Sequence, residues 1–534
     1  MTRGQAHDGG PDAVDGARRV KVGTGPETIR TLKKELTTGL LPDTYVSDGA
    51  LTHMETVSGG LAGAADEDSP LPVTASPVNP AGLAGLLAQH AHVYRTKYRK
   101  DKDGEMEPYD EECTPSREVM AAVLAGKTWP GVPALRAIIG APVLRRDGTL
   151  LQAPGYDPAT GLYLASKVDL PPVPDKPSSQ QVGEARAFLL GRFLRDFPWS
   201  SPADRANYVA LLATPILRHF TRSLTPFGLI DATMPASGKS ILTGGPGMLY
   251  GQKILTWPDE DGELRKSITA VFADQIGVVI WDNLEEGTVI DSAVLAQLIT
   301  QREWSDRQLG TSRNVASVND RLWMATGNNL QVGGDMASRT VRVHLDPDMP
   351  HPESRDQTGF GIPHLDQWIT IPANQMTVLW HVLILVLDWT RAGAPRAVGI
   401  SMRQFTPWAQ ALGGFLAHHG IDGFLTNIAE VRSVDEDEIR WRGFLSAWHE
   451  RHGSSPVTAA ELRRSADPVQ IGGDLHDPWD GLFITSKNGR LPNAVPLGRM
   501  LTGQNGRWRG EWVLRAEPSE RGDRSVFHVE HHRG

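Results

Sequence analysis

The chain of 534 residues has a single cysteine, Cys113. An internal disulfide framework and a Cys-rich zinc site are thereby excluded, and a reducing compartment is expected. An excess of positive charge is also missing. Lys and Arg number 54 against 63 Asp and Glu, for a net charge of −9. A uniformly basic coat for nucleic acid is excluded, whereas a local basic channel is not. Long apolar runs are absent too. The most apolar stretch, Met376–Trp389, is interrupted by His381 and Asp388. It falls short of the ~20 residues that cross a bilayer, so a buried helix is expected there. The opening MTRGQAHDGG carries no apolar signal core, and a cytoplasmic chain with no membrane partner is expected. No internal repeat is visible. The 55 Gly and 38 Pro follow no Gly-X-Y period and imply turns and linkers.

What is present is a globular composition, 40% hydrophobic and 22% charged, long enough for three or four units. Residues 1–80 are expected to be a poorly ordered N-terminal region and linker: 1–27 are polar and Gly-rich, and 58–80 small, acidic and Pro-rich. Residues 81–170 read as a small α+β domain, with AGLAGLLAQHAHVY helical, Arg117–Leu124 a short helix, and a hairpin turn at Asp147-Gly148. Helical periodicity returns after the Pro-rich 169–179, and Ser201-Pro202 opens a helix to about His219. Within a unit expected over 180–350, which includes these preceding helices, strands alternate with helices from Pro226 to about Leu345 as a parallel α/β sheet does. A helical region is expected over 351–432 and a winged-helix-like domain over 433–534.

The chemistry concentrates at FGLIDATMPASGKS, Phe227–Ser240. An apolar strand ends in a loop that closes with Gly238-Lys239-Ser240 and opens a helix. Such a loop, here Pro235, Ala236, Ser237, Gly238, Lys239, Ser240 and Ile241, offers backbone N–H groups, a lysine and a hydroxyl to phosphates and Mg²⁺. Thr233 stands where the pattern G-x-x-x-x-G-K-S/T has its first glycine, and a chance Gly-Lys-Ser turn would be spelled alike. The strand IGVVIWDN then ends in Asp282, a carboxylate placed to hold Mg²⁺ opposite Ser240. A third strand, RLWMA, leads to Asn328, which could orient an attacking water, and Arg339 precedes the strand TVRVHL.

The run GLIDATMPASGKS … VVIWDN … WSDRQLG … WMATGNNLQVGGDMASRTVRVHLDP resembles AAA+ ATPases of the superfamily 3 helicase type, as found in phage and integrative-element replication proteins. The resemblance spans about residues 115–530 and is most specific over 227–348. It implies a P-loop AAA+ core with helical N-terminal and lid regions. It further implies a ring, usually hexameric, that hydrolyses ATP with Mg²⁺ at subunit interfaces and moves along single-stranded or forked DNA. Lys239, Ser240, Asp282 and Asn328 fall on Walker A, Walker B and sensor 1, and Arg339 on the arginine finger. Asn283 occupies the second Walker B position, so Glu285 and Glu286 are the candidates for the base. The first 200 residues carry no primase motif, so a primase would be a separate partner.

The segment WSDRQLGTSRNVASVND has hairpin alternation, and the resembled helicases carry a DNA-gripping pore hairpin at this place. Arg313, Thr311 and Ser312 at its tip are the candidate DNA contacts, with Arg307 either structural or reaching nucleotide or DNA. A solvated turn has the same pattern. The basic, aromatic run Tyr94–Lys100 suits single-stranded nucleic acid but reads better as a solvated helix end. In the C-terminal region, Arg499, Arg507, Arg509 and Arg515 give a local positive charge that could meet phosphates, or the region serves oligomerisation. His528, His531 and His532 are expected to bind no metal. Two other classes stay open: a non-translocating AAA+ switch that assembles a complex on DNA or protein, and a small-molecule kinase.

Overall fold

Four-residue spacing of Thr28, Leu32 and Leu36 buries one stripe of α1 (Gly25–Thr37), the period a helix requires. The computed structural model describes residues 17–56, 73–166, 170–272, 276–307, 314–347, 349, 352–428, 436–471, 474–485, 490–506, 508–509, 512–518 and 525–531. Around α1 lie β1 (Arg18–Lys21), β2 (Thr44–Ser47), β3 (Ala50–Thr56), β4 (Val73–Pro77), α2 (Pro80–His90), β5 (Ala91–Lys100), β6 (Met106–Glu112) and α3 (Arg117–Leu124). Strand β1 runs parallel to β5, which pairs antiparallel with β6. Strands β2, β3 and β4 form an antiparallel sheet.

This arrangement departs from the expected poorly ordered region before residue 80. Val20, Leu32, Leu36 and Leu51 share one core with Leu83, Leu87, Val93 and Val123, so both sides of that boundary complete each other. The helix expected to run through Tyr94 stops at His90. Ala91 and Val93 alternate inward instead, and the strand they form fills the slot between β1 and β6. Short strands follow: β7 (Ala137–Ile139), β8 (Val143–Leu144), β9 (Leu150–Leu151), β10 (Gly155–Asp157) and β11 (Leu162–Leu164), with β8 and β9 flanking the Asp147-Gly148 turn.

Helix α4 (Ser179–Phe188) starts on a Ser178–Gln181 capping box and passes into a π-helical turn at Leu189–Phe193. Helix α5 (Pro202–Thr221) begins with proline, whose missing N–H costs nothing there, and is buried along most of its length. Next comes a five-stranded parallel sheet in the order β13 (Gln252–Leu255), β14 (Val278–Leu284), β18 (Leu322–Asn328), β12 (Phe227–Ala232) and β20 (Thr340–Leu345). All six residues of β12 are buried, as a central strand covered on both faces requires. Helices α6 (Lys239–Tyr250), α7 (Asp261–Val271) and α8 (Ala293–Thr300) alternate with the strands. Two-residue strands β15 (Val289–Ile290) and β19 (Gln331–Val332) pair in parallel beyond the main sheet. Between α8 and β18, β16 (Glu303–Arg307) and β17 (Asn314–Val318) form an antiparallel hairpin.

The apolar run around Leu383 lies in α10 (Pro372–Arg391), preceded by the short α9 (Leu365–Trp368). Helix α10 packs against α4, α5 and α6, and α11 (Thr406–His418) against α5. No helix among the described residues is long and apolar enough to cross a membrane. A separate C-terminal core gathers Trp441, Phe444, Trp448, Trp479, Leu497 and Leu514. It joins helices Glu436–His452, Ala459–Ser465 and Ala494–Gly503 to a sheet ordered β21 (Val457–Thr458), β26 (Ser525–His531), β25 (Trp512–Pro518) and β24 (Trp508–Arg509). The small hairpin β22 (Val469–Ile471) and β23 (Asp474–His476) completes the described strands.

Candidate active site

Parallel strands end along one edge of a sheet, and the groups singled out above leave from that edge. The chain departs β12 at Ala232, turns with Ala236 at φ +58° and Gly238 at φ +94°, and enters α6 at Lys239. Glycine is required at 238 twice over. Its φ is left-handed, and a Cβ there would lie 3.0 Å from the Phe197 ring. Thr233 needs no such freedom, since it is not among the positive-φ residues. Its hydroxyl donates to Asp346 Oδ1 at 2.9 Å and its N–H to Leu345 O at 3.2 Å, tying the loop to the end of β20. The departure from the first-glycine pattern is thus an anchored loop. Ser237 Oγ closes it further on Met234 O at 2.5 Å.

Lys239 is buried, and its Nζ donates to Asn328 Oδ1 at 2.6 Å and Met234 O at 3.5 Å. Burial pushes its pKa down, against the opposing pull of the Asp231 and Asp282 carboxylates. The sheet therefore brings Lys239 and Asn328 together and puts Asp282 within their field. Asp282 Oδ1 accepts from Thr326 Oγ1 at 2.5 Å, and the same hydroxyl accepts from the Asn283 N–H at 2.9 Å. Asn283 has φ +55°, and the β14–β18 register shifts between Trp281 and Leu284, so the strand end bends here. Ser240 is exposed on the first turn of α6 and Asp282 partly exposed at its strand end. A hydroxyl and a carboxylate are hard oxygen donors, and that chemistry fits Mg²⁺.

Both candidate bases are exposed, and Glu286 Oε1 accepts from Asn329 Nδ2 at 2.7 Å. Asn329 also reaches Thr233 O at 3.3 Å, and its N–H donates to Ala232 O at 3.0 Å. Asn329 joins the loop to Glu286, a role the sequence reading gave to no residue. Thr326 was missed as well. So was Asp231, fully buried below the loop, which accepts from Arg342, from His344 Nδ1 at 3.0 Å and from the Leu330 N–H at 3.0 Å. Burial alone would raise its pKa, but these bonds outweigh burial and hold the carboxyl below its usual range.

A cavity of about 370 Å³ opens beside the loop, reaching Gly238 to Ile241 on one side and Arg192, Phe197, Arg355 and Phe360 on the other. The Arg355 guanidinium lies 4.9 Å from the Phe360 ring centre. Gly361 closes this wall: its N–H donates to Asp196 Oδ2 at 2.7 Å, and a Cβ would meet Arg192 O at 2.8 Å. Sequence spacing gave no signal for this wall, because its two segments are separated by more than the whole sheet.

Arg339 does not join Lys239. It lines a separate depression with Asp291, Ser292, Gln297 and Thr300, pairs with Asp335 at 3.2 Å, and keeps a buried Nε without a hydrogen bond. Arg307 ends β16 opposite Asn314. Thr311, Ser312 and Arg313 lie outside the described residues. The run Tyr94–Lys100 is a strand rather than a helix end, and three of its four cations, Arg95, Lys97 and Arg99, are paired. Arg95 and Lys97 meet Glu111 at 2.9 and 2.8 Å, and Arg99 meets Glu107 at 3.7 Å. Arg515 is likewise bonded to Glu530 at 3.0 Å. His528 approaches Glu530 at 3.5 Å, and the His531 ring packs on Trp512 with centres 4.2 Å apart. Arg507 and His532 lie outside the described residues.

No family model matches the chain, and no curated protein matches it. Among solved structures it is similar to the C-terminal region of NrS-1 in its A form apo structure, at 11% identity and a TM-score of 0.32, over 84% of this chain and 98% of that one. It is also similar to JCV helicase, at 13% identity and a TM-score of 0.20, over 48% of this chain and 73% of that one. The functional reading rests on the side chains of this chain.

Proposed function

We propose that the chain is an ATP-dependent DNA helicase or translocase of the AAA+ superfamily 3 type, acting in replication of a phage or mobile element. The observation that carries it is the bond from Lys239, at the start of α6, to Asn328, at the end of the neighbouring strand. A lysine held by neutral oxygens at a helix N-terminus is poised to exchange them for phosphate oxygens. The cavity beside it has the scale of a nucleotide-sized ligand, with Phe197 and Phe360 as apolar surface and Arg192 and Arg355 as cations.

Ser240 and Asp282 would hold Mg²⁺, which supplies charge neutralisation on the phosphates when bound. Glu286 is the preferred base over Glu285, because Asn329 fixes its carboxylate to the loop. Base work then requires Glu286 to receive the proton of the attacking water, with Asn328 orienting that water. Arg339 lies apart from Lys239, so it is assigned to the nucleotide of an adjacent subunit in a homo-oligomeric, hexameric ring. The hairpin tip with Thr311, Ser312 and Arg313 is assigned to DNA, and the C-terminal unit to a winged-helix-like role. A separate primase and a cytoplasmic setting belong to the same reading.

The test is hydrolysis by the purified full chain with and without single-stranded DNA, together with strand separation on a forked duplex. Stimulation and unwinding support translocation. Hydrolysis that ignores DNA, with no unwinding by an assembled ring, assigns the chain to the non-translocating switch instead.

A further inference from the structure

Away from the sheet edge, the C-terminal end of α11 meets the last turns of α10. Among the described residues, Asp388, His418 and His419 form one group whose ligand atoms all lie within 4.8 Å of one another. We propose that Asp388, His418 and His419 bind a divalent transition-metal cation of the zinc class, which clasps α10 to α11.

The argument begins with a tautomer. His419 is buried, and its Nε2 lies 2.8 Å from Leu385 O, a main-chain acceptor, so Nε2 carries the hydrogen. In the neutral ring, Nδ1 then presents a lone pair. Nδ1 lies 4.0 Å from Asp388 Oδ2, beyond hydrogen-bond distance. A cation held by both atoms would join them. His418 Nε2 donates to the same carboxylate oxygen at 2.9 Å, a hydrogen that a bound cation would replace, and the two imidazole planes are inclined by 78°.

The spacings of 2.9 and 4.0 Å, in a group whose ligand atoms lie within 4.8 Å of one another, are near the ~3.3 Å between neighbouring ligands of a tetrahedral ion with bonds of ~2.0 Å, so small side-chain shifts complete the site. The bond from His419 to a main-chain carbonyl is the support that orients a metal-binding imidazole. Two imidazoles and one carboxylate favour zinc, cobalt or nickel over Mg²⁺, which takes oxygen. Asp388 and His418 are partly exposed, which leaves an entry path and room for water as the fourth ligand.

The test uses the full chain, freed of metal with a chelator and dialysed, without nucleotide. Cobalt(II) chloride is titrated while visible absorption is read, and zinc chloride is then added in competition. The expected result is one equivalent of cobalt bound per chain, with the band intensity of a four-coordinate ion, displaced by zinc. His418→Ala and Asp388→Asn should each weaken binding at least tenfold while circular dichroism stays unchanged. The double variant His528→Ala/His531→Ala should bind as the unaltered chain does. Absence of stoichiometric cobalt binding by the folded chain would overturn the site. So would unchanged binding in folded His418→Ala, or loss of binding in the His528→Ala/His531→Ala variant alone.

Discussion

Neutral oxygens, not a carboxylate, hold the Lys239 ammonium, so an arriving phosphate need not break an ion pair to reach it. Lys239→Ala and Asp282→Asn are each expected to lower ATP turnover by ~10²–10³, read as steady-state phosphate release. Turnover near that of the unaltered chain in either variant would remove the assignment. A second expectation concerns His219, whose pKa burial pushes down to about 4, with the Arg218 charge adding to the effect. The unfolded chain binds the extra proton between that value and ~6.5, so stability falls as pH drops through this window. The loss attributable to His219 is at most about 3 kcal/mol. Urea unfolding at pH 7 and pH 4.5 should therefore show a smaller acid loss in His219→Gln, and equal losses would exclude this cause. Lys239, Ser240 and Asp282 were legible because each sits within a residue or two of a strand end or helix start. Asp231 with Arg342 was not, since 111 residues separate partners that only strand order makes neighbours. The bond between Glu286 and Asn329 was hidden for the same reason across 43 residues.

Strand and helix identity was read well where apolar period and caps agreed, as in Arg117–Leu124, whose observed bounds are the expected ones. It failed at α2, where small apolar residues continue into β5 and fit either period. It also missed the shared core of residues 18–124, because no local pattern shows that β1 pairs with β5. At this scale Arg339 is informative. It immediately precedes β20, and its carbonyl accepts from the N–H of Phe227, the first residue of β12. The backbone of the proposed finger is therefore tied to the strand that carries the lysine loop. Arg339→Ala is expected to bind ATP but hydrolyse it ~10³-fold more slowly. Mixed with Lys239→Ala, it should recover activity, because one subunit interface then contains both intact residues. Absence of recovery at every mixing ratio would make Arg339 structural.

The molecule as a whole is acidic, and Arg95, Lys97 and Arg99 of β5 are matched by carboxylates on β6. On the proposed reading, affinity for DNA comes from few positions, each with a large effect. Arg313→Ala is expected to keep basal hydrolysis and assembly, lose DNA stimulation, and show a shallower dependence of binding on salt. Unwinding unchanged in an assembled Arg313→Ala ring would move the DNA path, with the C-terminal unit next in line. The sheet order carries a different consequence, for synthesis. Strand β12 has β18 on one side and β20 on the other, and both come much later in the chain. Translation at ~5–20 residues per second takes on the order of ten seconds to cross from Ala232 to Asn328 and Leu345. During that interval a strand whose six residues are all buried in the finished fold has neither neighbour, its Asp231 carboxylate lacks Arg342 and His344, and the lysine loop has no Asn328 to hold it. On the proposed reading, a nascent chain on the ribosome would lack the nucleotide site until β18 and β20 emerge.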